Sequence, residues 1–258
     1  MIKIIKTIKT IKTIFKLFLV TLFVFYLNII SSVIAAEDVC STVTEKVIRE
    51  HIPLKDFEII AKKQTSIFCE VIIRAKNTDI PLYIGDGFVI SGDMYVKQKK
   101  VGDDLLNEVR RNRFLEDKHK FDELTAFVYT PRRPTGRIIY MISEPTCSHC
   151  TRAATRIKSV ADKTGLTVKV IMYPMNEGIG TDRCIDIICG NFSLEDYISK
   201  ANTERVLKTC DDGRRKIREF SVVAEKHGID GVPVFFLDDG SMYFLSGLDG
   251  LEKKLRKK

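Results

Sequence analysis

Hydrophobic and polar positions change their spacing part-way along the chain. Between residues 37 and 100 the apolar residues fall into short runs of strand length, at 57–60, 66–73, 81–84, 88–90 and 94–96. Gly85-Asp86-Gly87 and Ser91-Gly92-Asp93 separate the last three and predict tight turns. Ahead of them, Val43, Val47 and Ile48 make a helical apolar face, and Thr42-Val43-Thr44-Glu45 fits a capping box. The pattern predicts a small α+β unit, a meander of antiparallel strands against one helix. Residues 103–124 are charged throughout, with Leu105, Leu106, Val109 and Leu115 as sparse apolar positions. They predict a solvated connecting helix with one shallow sticky side; an ordinary surface helix of one domain fits the periodicity equally well. Pro131-Arg132-Arg133-Pro134-Thr135-Gly136 reads as a loop.

Beyond that loop the pattern becomes α/β. A strand is predicted over 137–143, a helix over 148–164 closed by Gly165, and a second strand over 166–172. Residues 176–228 read as mostly helical. One helix starts at Ser193-Leu194-Glu195-Asp196, and a long one over 212–227 is stopped by Gly228. Residues 233–237 and 242–245 form a hairpin through Asp238-Asp239-Gly240, and a last helix covers 249–256. The order is β-α-β, a helical insertion, then α-β-β-α.

The first 36 residues follow neither pattern. Lys3, Lys6, Lys9, Lys12 and Lys16 precede an apolar run from 17 to 30, and the small-residue stretch Val33-Ile34-Ala35-Ala36 follows it. That is the signature of a secretory signal peptide, with cleavage expected after Ala36; an uncleaved anchor is the rival. This segment changes the reading of the charge. The 258-residue chain has a net charge of +8, with 42 basic and 34 acidic side chains. Five of the basic ones and no acidic one lie in 1–36, so the rest of the chain carries 37 against 34, or +3. No basic-aromatic stripe is left that would suggest nucleic-acid binding. Export also places the seven cysteines where disulfides persist.

Two of those cysteines stand together. Cys147-Ser148-His149-Cys150 falls between a predicted strand and a predicted helix. Cys147 at the helix start meets unpaired backbone N–H groups that stabilise a thiolate, and His149 adds to that effect when protonated or hydrogen-bonded. Cys150, one turn in, is less accessible and suited to attack a mixed disulfide formed at Cys147. Structural zinc sites use the same spacing but need a second pair. Cys184 and Cys189 are five apart and Cys210 stands alone, so no metal is expected. Gly231-Val232-Pro233-Val234 supplies the second half of the constellation. A cis Val232–Pro233 bond would turn the Val232 backbone outward beside the dithiol, ready to pair with an extended substrate peptide. A trans proline starting a strand is the plainer alternative.

Thr146-Cys147-Ser148-His149-Cys150 after a strand, and Gly231-Val232-Pro233 before a hairpin, resemble the thioredoxin fold. Asp86-Gly87 and Gly92-Asp93-Met94-Tyr95-Val96 look like the dimerisation domain of the disulfide isomerases DsbC and DsbG, and the charged helix and helical insertion fit the same family. The resemblance implies a signal peptide (1–36), a cystatin-like α+β dimerisation domain (37–102), a linker helix (103–124) and a thioredoxin-like α/β catalytic domain (125–258). It implies a periplasmic homodimer and a structural disulfide between Cys189 and Cys210, which would be worth about 3 kcal/mol. Catalysis would fall to Cys147 and Cys150, tuning to Ser148 and His149, and substrate contact to Val232 and Pro233, with no cofactor.

Ser148-His149 and Val232 stand where such isomerases usually carry Gly-Tyr and Thr; a histidine and a valine there resemble the oxidase DsbA. Met141 occupies the position of thioredoxin's buried acid, and the nearest acid, Glu144, is expected near the surface. Of the remaining cysteines, Cys69 is expected as a buried strand residue rather than paired with Cys40, and Cys184 as the odd thiol. The leading expectation is a thiol–disulfide isomerase or reductase of misoxidised exported proteins, kept reduced by a DsbD-like membrane dithiol donor. A dithiol oxidase and a chaperone-like assembly factor are the alternatives.

Overall fold

The structure, a computed structural model, describes residues 38–175 and 177–256. The expected signal segment, 1–36, lies outside the described residues. Helix α1 (Val39–Thr42) is short, and Thr42 ends it by giving its hydroxyl to the Val39 carbonyl at 2.9 Å. That hydroxyl is then spent on the turn behind it, so the cap of α2 (Glu45–His51) is Thr44, which accepts from the Val47 N–H at 3.3 Å. The expected capping box is therefore not formed: the N-cap is Thr44, two residues on, and Val47 at its N3 position has no polar side chain to return the bond.

Strands β1 (Glu58–Gln64), β2 (Cys69–Ala75), β3 (Thr78–Gly85) and β4 (Phe88–Ser91) form an antiparallel meander in that order. Alternate residues Cys69, Val71 and Ile73 of β2, with Leu82 and Ile84 of β3, bury against Ile48 of α2, Val43 and Phe57. A fully buried Val, Leu or Ile contributes about 1.5–3 kcal/mol, so this small core is modest. It is stapled by a Cys40–Cys69 disulfide with Cα atoms 5.0 Å apart. This corrects the expectation that Cys69 is unpaired. The short α1, which no periodicity announced, brings Cys40 over the start of β2.

The 94–96 run does not extend the meander. After Gly92, at φ +113°, β5 (Met94–Val96) pairs with β6 (Lys99–Val101) in a separate ribbon. Gly102 then starts helix α3 (Asp103–Glu123) at φ +84°, where a Cβ would run into the Tyr83 hydroxyl.

Helix α3 does connect the two units, yet its decisive residues are Phe114 and Phe121. Both are fully buried, seven residues apart on one face, whereas Leu115 is exposed. Phe114 stacks on Phe236 with ring centroids 5.1 Å apart, and Phe121 meets Tyr140 and Phe220 edge-on. One side of the helix is thus core of the second unit. Leu105 and Arg113 are buried as well, Arg113 against the first unit, and the rest of the helix is largely solvated.

That second unit has three layers. Its sheet runs β11-β10-β8-β9-β7, from β7 (Phe127–Tyr129), β8 (Ile138–Ser143), β9 (Thr167–Met172), β10 (Val234–Leu237) and β11 (Met242–Phe244). Strands β8 and β9 are parallel; β7, β10 and β11 pair antiparallel. Tyr140, Ile142, Val234 and Phe236 face α3 and α7 (Asp211–Lys226). Ile139, Met141, Phe235 and Leu237 face α4 (Ser148–Thr164), α5 (Ile179–Cys189), α6 (Leu194–Lys200) and α8 (Leu248–Arg256). Helix α6 carries the expected cap, with Ser193 and Asp196 in a reciprocal capping box. Cys189 at the end of α5 is bonded to Cys210, the N-cap of α7, with Cα atoms 5.7 Å apart. Gly213 makes room for this bridge, because a Cβ there would sit 2.7 Å from the Cys189 sulfur.

The two units are fastened through α3. Arg113, buried, gives both oxygens of Asp79 on β3 a hydrogen bond from Nη2, at 2.9 and 2.7 Å, and reaches the Lys226 carbonyl from Nη1 at 3.3 Å. Asn77, in the β2–β3 turn, donates to Glu225 of α7 at 2.7 Å.

Candidate active site

The central strand β8 ends at Ser143 and α4 begins at Ser148, so the chain must turn over four residues just beyond the end of that strand. Cys147 is the N-cap of α4, in extended conformation, and its carbonyl accepts from the Cys150 N–H at 3.0 Å. This first turn puts the two sulfurs on one side of the helix and at different depths. Cys147 is half-buried, while Cys150 is fully buried; both are free thiols. The peptide bond between Val232 and Pro233 is cis. The Cys147 sulfur lies 3.9 Å from the Val232 carbonyl oxygen. Cys147, Cys150, Val232 and Pro233 are thus brought together from two segments 85 residues apart.

Residues 132–253 match the family model of a thioredoxin-like domain. Residues 132–253 form a thioredoxin-like domain. No curated protein matches the chain. Among solved structures, the chain is similar to Helicobacter pylori DsbG, at 20% identity over 74% of this chain and 97% of that one, TM-score 0.39. It is similar to the catalytic domain of Proteus mirabilis ScsC, at 13% identity over 57% and 99%, TM-score 0.44. It is also similar to the thiol-disulfide exchange protein alpha-DsbA2 from Wolbachia pipientis, at 14% identity over 58% and 98%, TM-score 0.41. A free dithiol at the start of a helix in a thioredoxin-like domain is an arrangement suited to thiol–disulfide exchange.

Within the thioredoxin-like domain the two cysteines have opposite environments. Burial pushes the Cys150 thiol up to about 12; the Glu144 N–H, 3.5 Å from its sulfur, and the Ser143 hydroxyl act against that shift. Cys150 is therefore a protonated, sheltered partner at neutral pH, and Cys147 is the sulfur a substrate can reach. Ser148 and His149 are exposed at the helix start. His149 Nδ1 is 3.0 Å from Nη2 of Arg152, and a guanidinium only donates, so Nδ1 accepts. The ring expected to tune Cys147 is thus hydrogen-bonded, and its partner Arg152 adds a fixed positive charge near the helix start.

Glu144 also differs from expectation. It is 2% exposed rather than at the surface. The reason is Gly180 of α5, which lies so close over the carboxylate that a Cβ would fall 2.5 Å from Oε1. That oxygen accepts from the Thr146 hydroxyl at 2.7 Å. Cys184 is buried nearby; burial pushes its thiol well up, and Glu144 and Cys150 push it further. Among the described residues no three His, Cys, Asp or Glu side chains are grouped so as to hold a metal ion.

A cleft of about 600 Å³ opens beside the cis-proline loop. Val232, Pro233, Tyr173 and Phe244 of the thioredoxin-like domain line one side, and Asn77 and Thr78 of the first unit line another. Phe244 is 59% exposed, an apolar side chain facing water at the rim. The contribution of the β2–β3 turn to this cleft was invisible in the sequence, since nothing in residues 76–79 marks a docking turn.

Proposed function

We propose that the chain is a thiol–disulfide isomerase or reductase acting on misoxidised exported proteins. The observation that carries this reading is the single reachable sulfur, Cys147, beside the Val232 carbonyl and next to a cleft walled by both units. A polypeptide in extended form can pair with that carbonyl while its disulfide meets Cys147. The Cys147 thiolate attacks one sulfur of the client disulfide and the other leaves as a client thiolate. Attack by a client thiolate on the mixed disulfide gives a rearranged client and returns Cys147. Attack by Cys150 instead gives a reduced client and a Cys147–Cys150 disulfide.

Two bridges in one chain, Cys40–Cys69 and Cys189–Cys210, support an oxidising compartment, here the periplasm. Among the described residues no helix is long and apolar enough to cross a membrane. In this reading 1–36 is the export signal, 37–102 a dimerisation domain, 103–124 its connecting helix and 125–258 the catalytic domain. Exposed Phe88 and Ile90 on edge strand β4 support pairing of two copies there. A membrane dithiol donor keeps the active pair reduced.

Reactivation of scrambled ribonuclease by the reduced protein tests the reading. It fails if no reactivation occurs while Cys147 stays reduced and titratable. A second reading, a dithiol oxidase, is favoured by His149 and Val232. A strongly oxidising potential of the Cys147–Cys150 pair, with rapid oxidation of reduced clients, would select it.

A further inference from the structure

The resolving sulfur poses a chemical problem. Cys150 must lose its proton to attack, yet it is fully buried, and burial favours the neutral thiol. Met141, where a thioredoxin carries a buried acid, offers no carboxylate. Glu144 does carry one, but it receives the Thr146 hydroxyl and is packed under Gly180.

What does meet the Cys150 sulfur is a pair of donors at the end of β8. The Glu144 N–H is one, at 3.5 Å, and the Ser143 hydroxyl is the other. The Ser143 oxygen is in turn 2.6 Å from the phenol oxygen of Tyr197, a residue of α6 in the helical insertion, 54 positions away. Ser143 and Tyr197 are both fully buried. We propose that Tyr197 and Ser143 form a two-hydroxyl donor chain, Tyr197 O–H to Ser143 Oγ and Ser143 O–H to the Cys150 sulfur, that holds Cys150 as a thiolate during resolution. The inference rests on the exchange chemistry proposed above and makes both residues positioning residues.

Each hydroxyl has one proton and two lone pairs. When Tyr197 donates to Ser143, the serine proton is free for sulfur, and each bond polarises the next. When Cys150 is a thiol, its S–H turns to the Cys147 sulfur, with which it shares a hydrogen bond, and the two hydroxyl bonds stay in place. The chain therefore strengthens as charge develops on sulfur, which is where it lowers a barrier. In the step itself, an electron pair of Cys150 forms the bond to Cys147. The Cys147–client bond breaks and its pair leaves with the client sulfur, which takes up a proton equivalent to the one Cys150 lost. The client sulfur is reduced and the Cys147–Cys150 pair is oxidised.

Ellman's reagent reads the two steps separately and needs no protein client. Reduced protein releases a first thionitrobenzoate when Cys147 attacks and a second when Cys150 resolves the adduct. In Tyr197→Phe and Ser143→Ala the second phase is expected to slow about tenfold near neutral pH, the scale of one hydrogen bond to a charged group. Its rising limb should move to higher pH, while the first phase keeps the parent rate. The double variant should be no slower than Ser143→Ala alone, because one chain is being cut. An unchanged second phase and pH profile would overturn the proposal, and so would equal slowing of both phases, which marks lost structure. Should Ser143→Ala not fold, Tyr197→Phe retains the ring and decides alone. Failure to reactivate ribonuclease would leave this result standing; a parent chain with no second phase would refute exchange itself, and this proposal with it.

Discussion

The Cys147 sulfur stands 3.9 Å from the Val232 carbonyl oxygen while the Cys150 sulfur is sealed beneath the first turn of α4. A disulfide partner bonded to Cys147 would therefore be held beside an open backbone acceptor, with the buried thiol placed to release it. Cys150→Ala should accumulate Cys147-linked client adducts, and Cys147→Ala should form none and lose catalysed exchange entirely. Mass spectrometry of acid-quenched mixtures checks both.

The bridges are separated by 29 residues for Cys40–Cys69 and 21 for Cys189–Cys210. In the chain-entropy model each is worth about 3 kcal/mol, and slightly more for the longer loop. Replacing either pair by alanine should lower the urea midpoint accordingly. The Cys40 and Cys69 replacements act on a core of few side chains, so their loss should show first in the first unit, as early exchange of β2 amides.

Asp79 sits between Arg74, whose Nε donates to it at 3.0 Å, and the buried Arg113. Asp79→Ala would leave the Arg113 charge buried without its partner, and removing one member of such a pair typically costs about 3–5 kcal/mol. Replacing Asp79 and Arg113 together by apolar residues should cost less than Asp79→Ala alone. Equilibrium unfolding of the three chains measures the difference.

Acid stability should depend on His227, whose Nε2 is 3.1 Å from Asp117. Burial lowers the His227 value, with Lys226 and Arg74 acting the same way and Asp117 opposing. A histidine held neutral in the folded chain stabilises it above the unfolded value near 6.5, and that contribution is lost as pH falls below it. Asp117 behaves as a depressed carboxylate. Its burial disfavours charge, but hydrogen bonds from Lys226, Lys120 and His227 prevail and bring it to about 2, so its contribution fades only between about pH 4 and 2. Stability should thus fall between pH 7 and 5, and His227→Gln should flatten that slope. Thermal melts across this range test the sign.

Much of the thioredoxin-like domain was legible because its signals are local. The dithiol, the helix stopped by Gly165 and the Ser193 cap each lie within a few residues. What stayed hidden depends on distant packing. Phe114 and Phe121 are two aromatic residues in a helix of charges, and their burial follows from Tyr140, Phe220 and Phe236 arriving from elsewhere. Glu144 is buried because Gly180 covers it, and Ser143 meets Tyr197 only through the insertion. The Cys40–Cys69 bond was the less favoured of two readings for the same reason, since a four-residue helix has too little periodicity to show where Cys40 points.

Arg113 and Phe114 are neighbours in α3, one committed to Asp79 of the first unit and the other to Phe236 of the second. Joined domains ordinarily swing about an exposed connector. Here rotation of either unit about α3 must strip an ion pair or an aromatic stack. The helix thus acts as a spacer of fixed length and angle, and the gap between the β2–β3 turn and the cis-proline loop is set at folding rather than at binding. Lengthening the β2–β3 turn would therefore change the width of that gap without touching the dithiol.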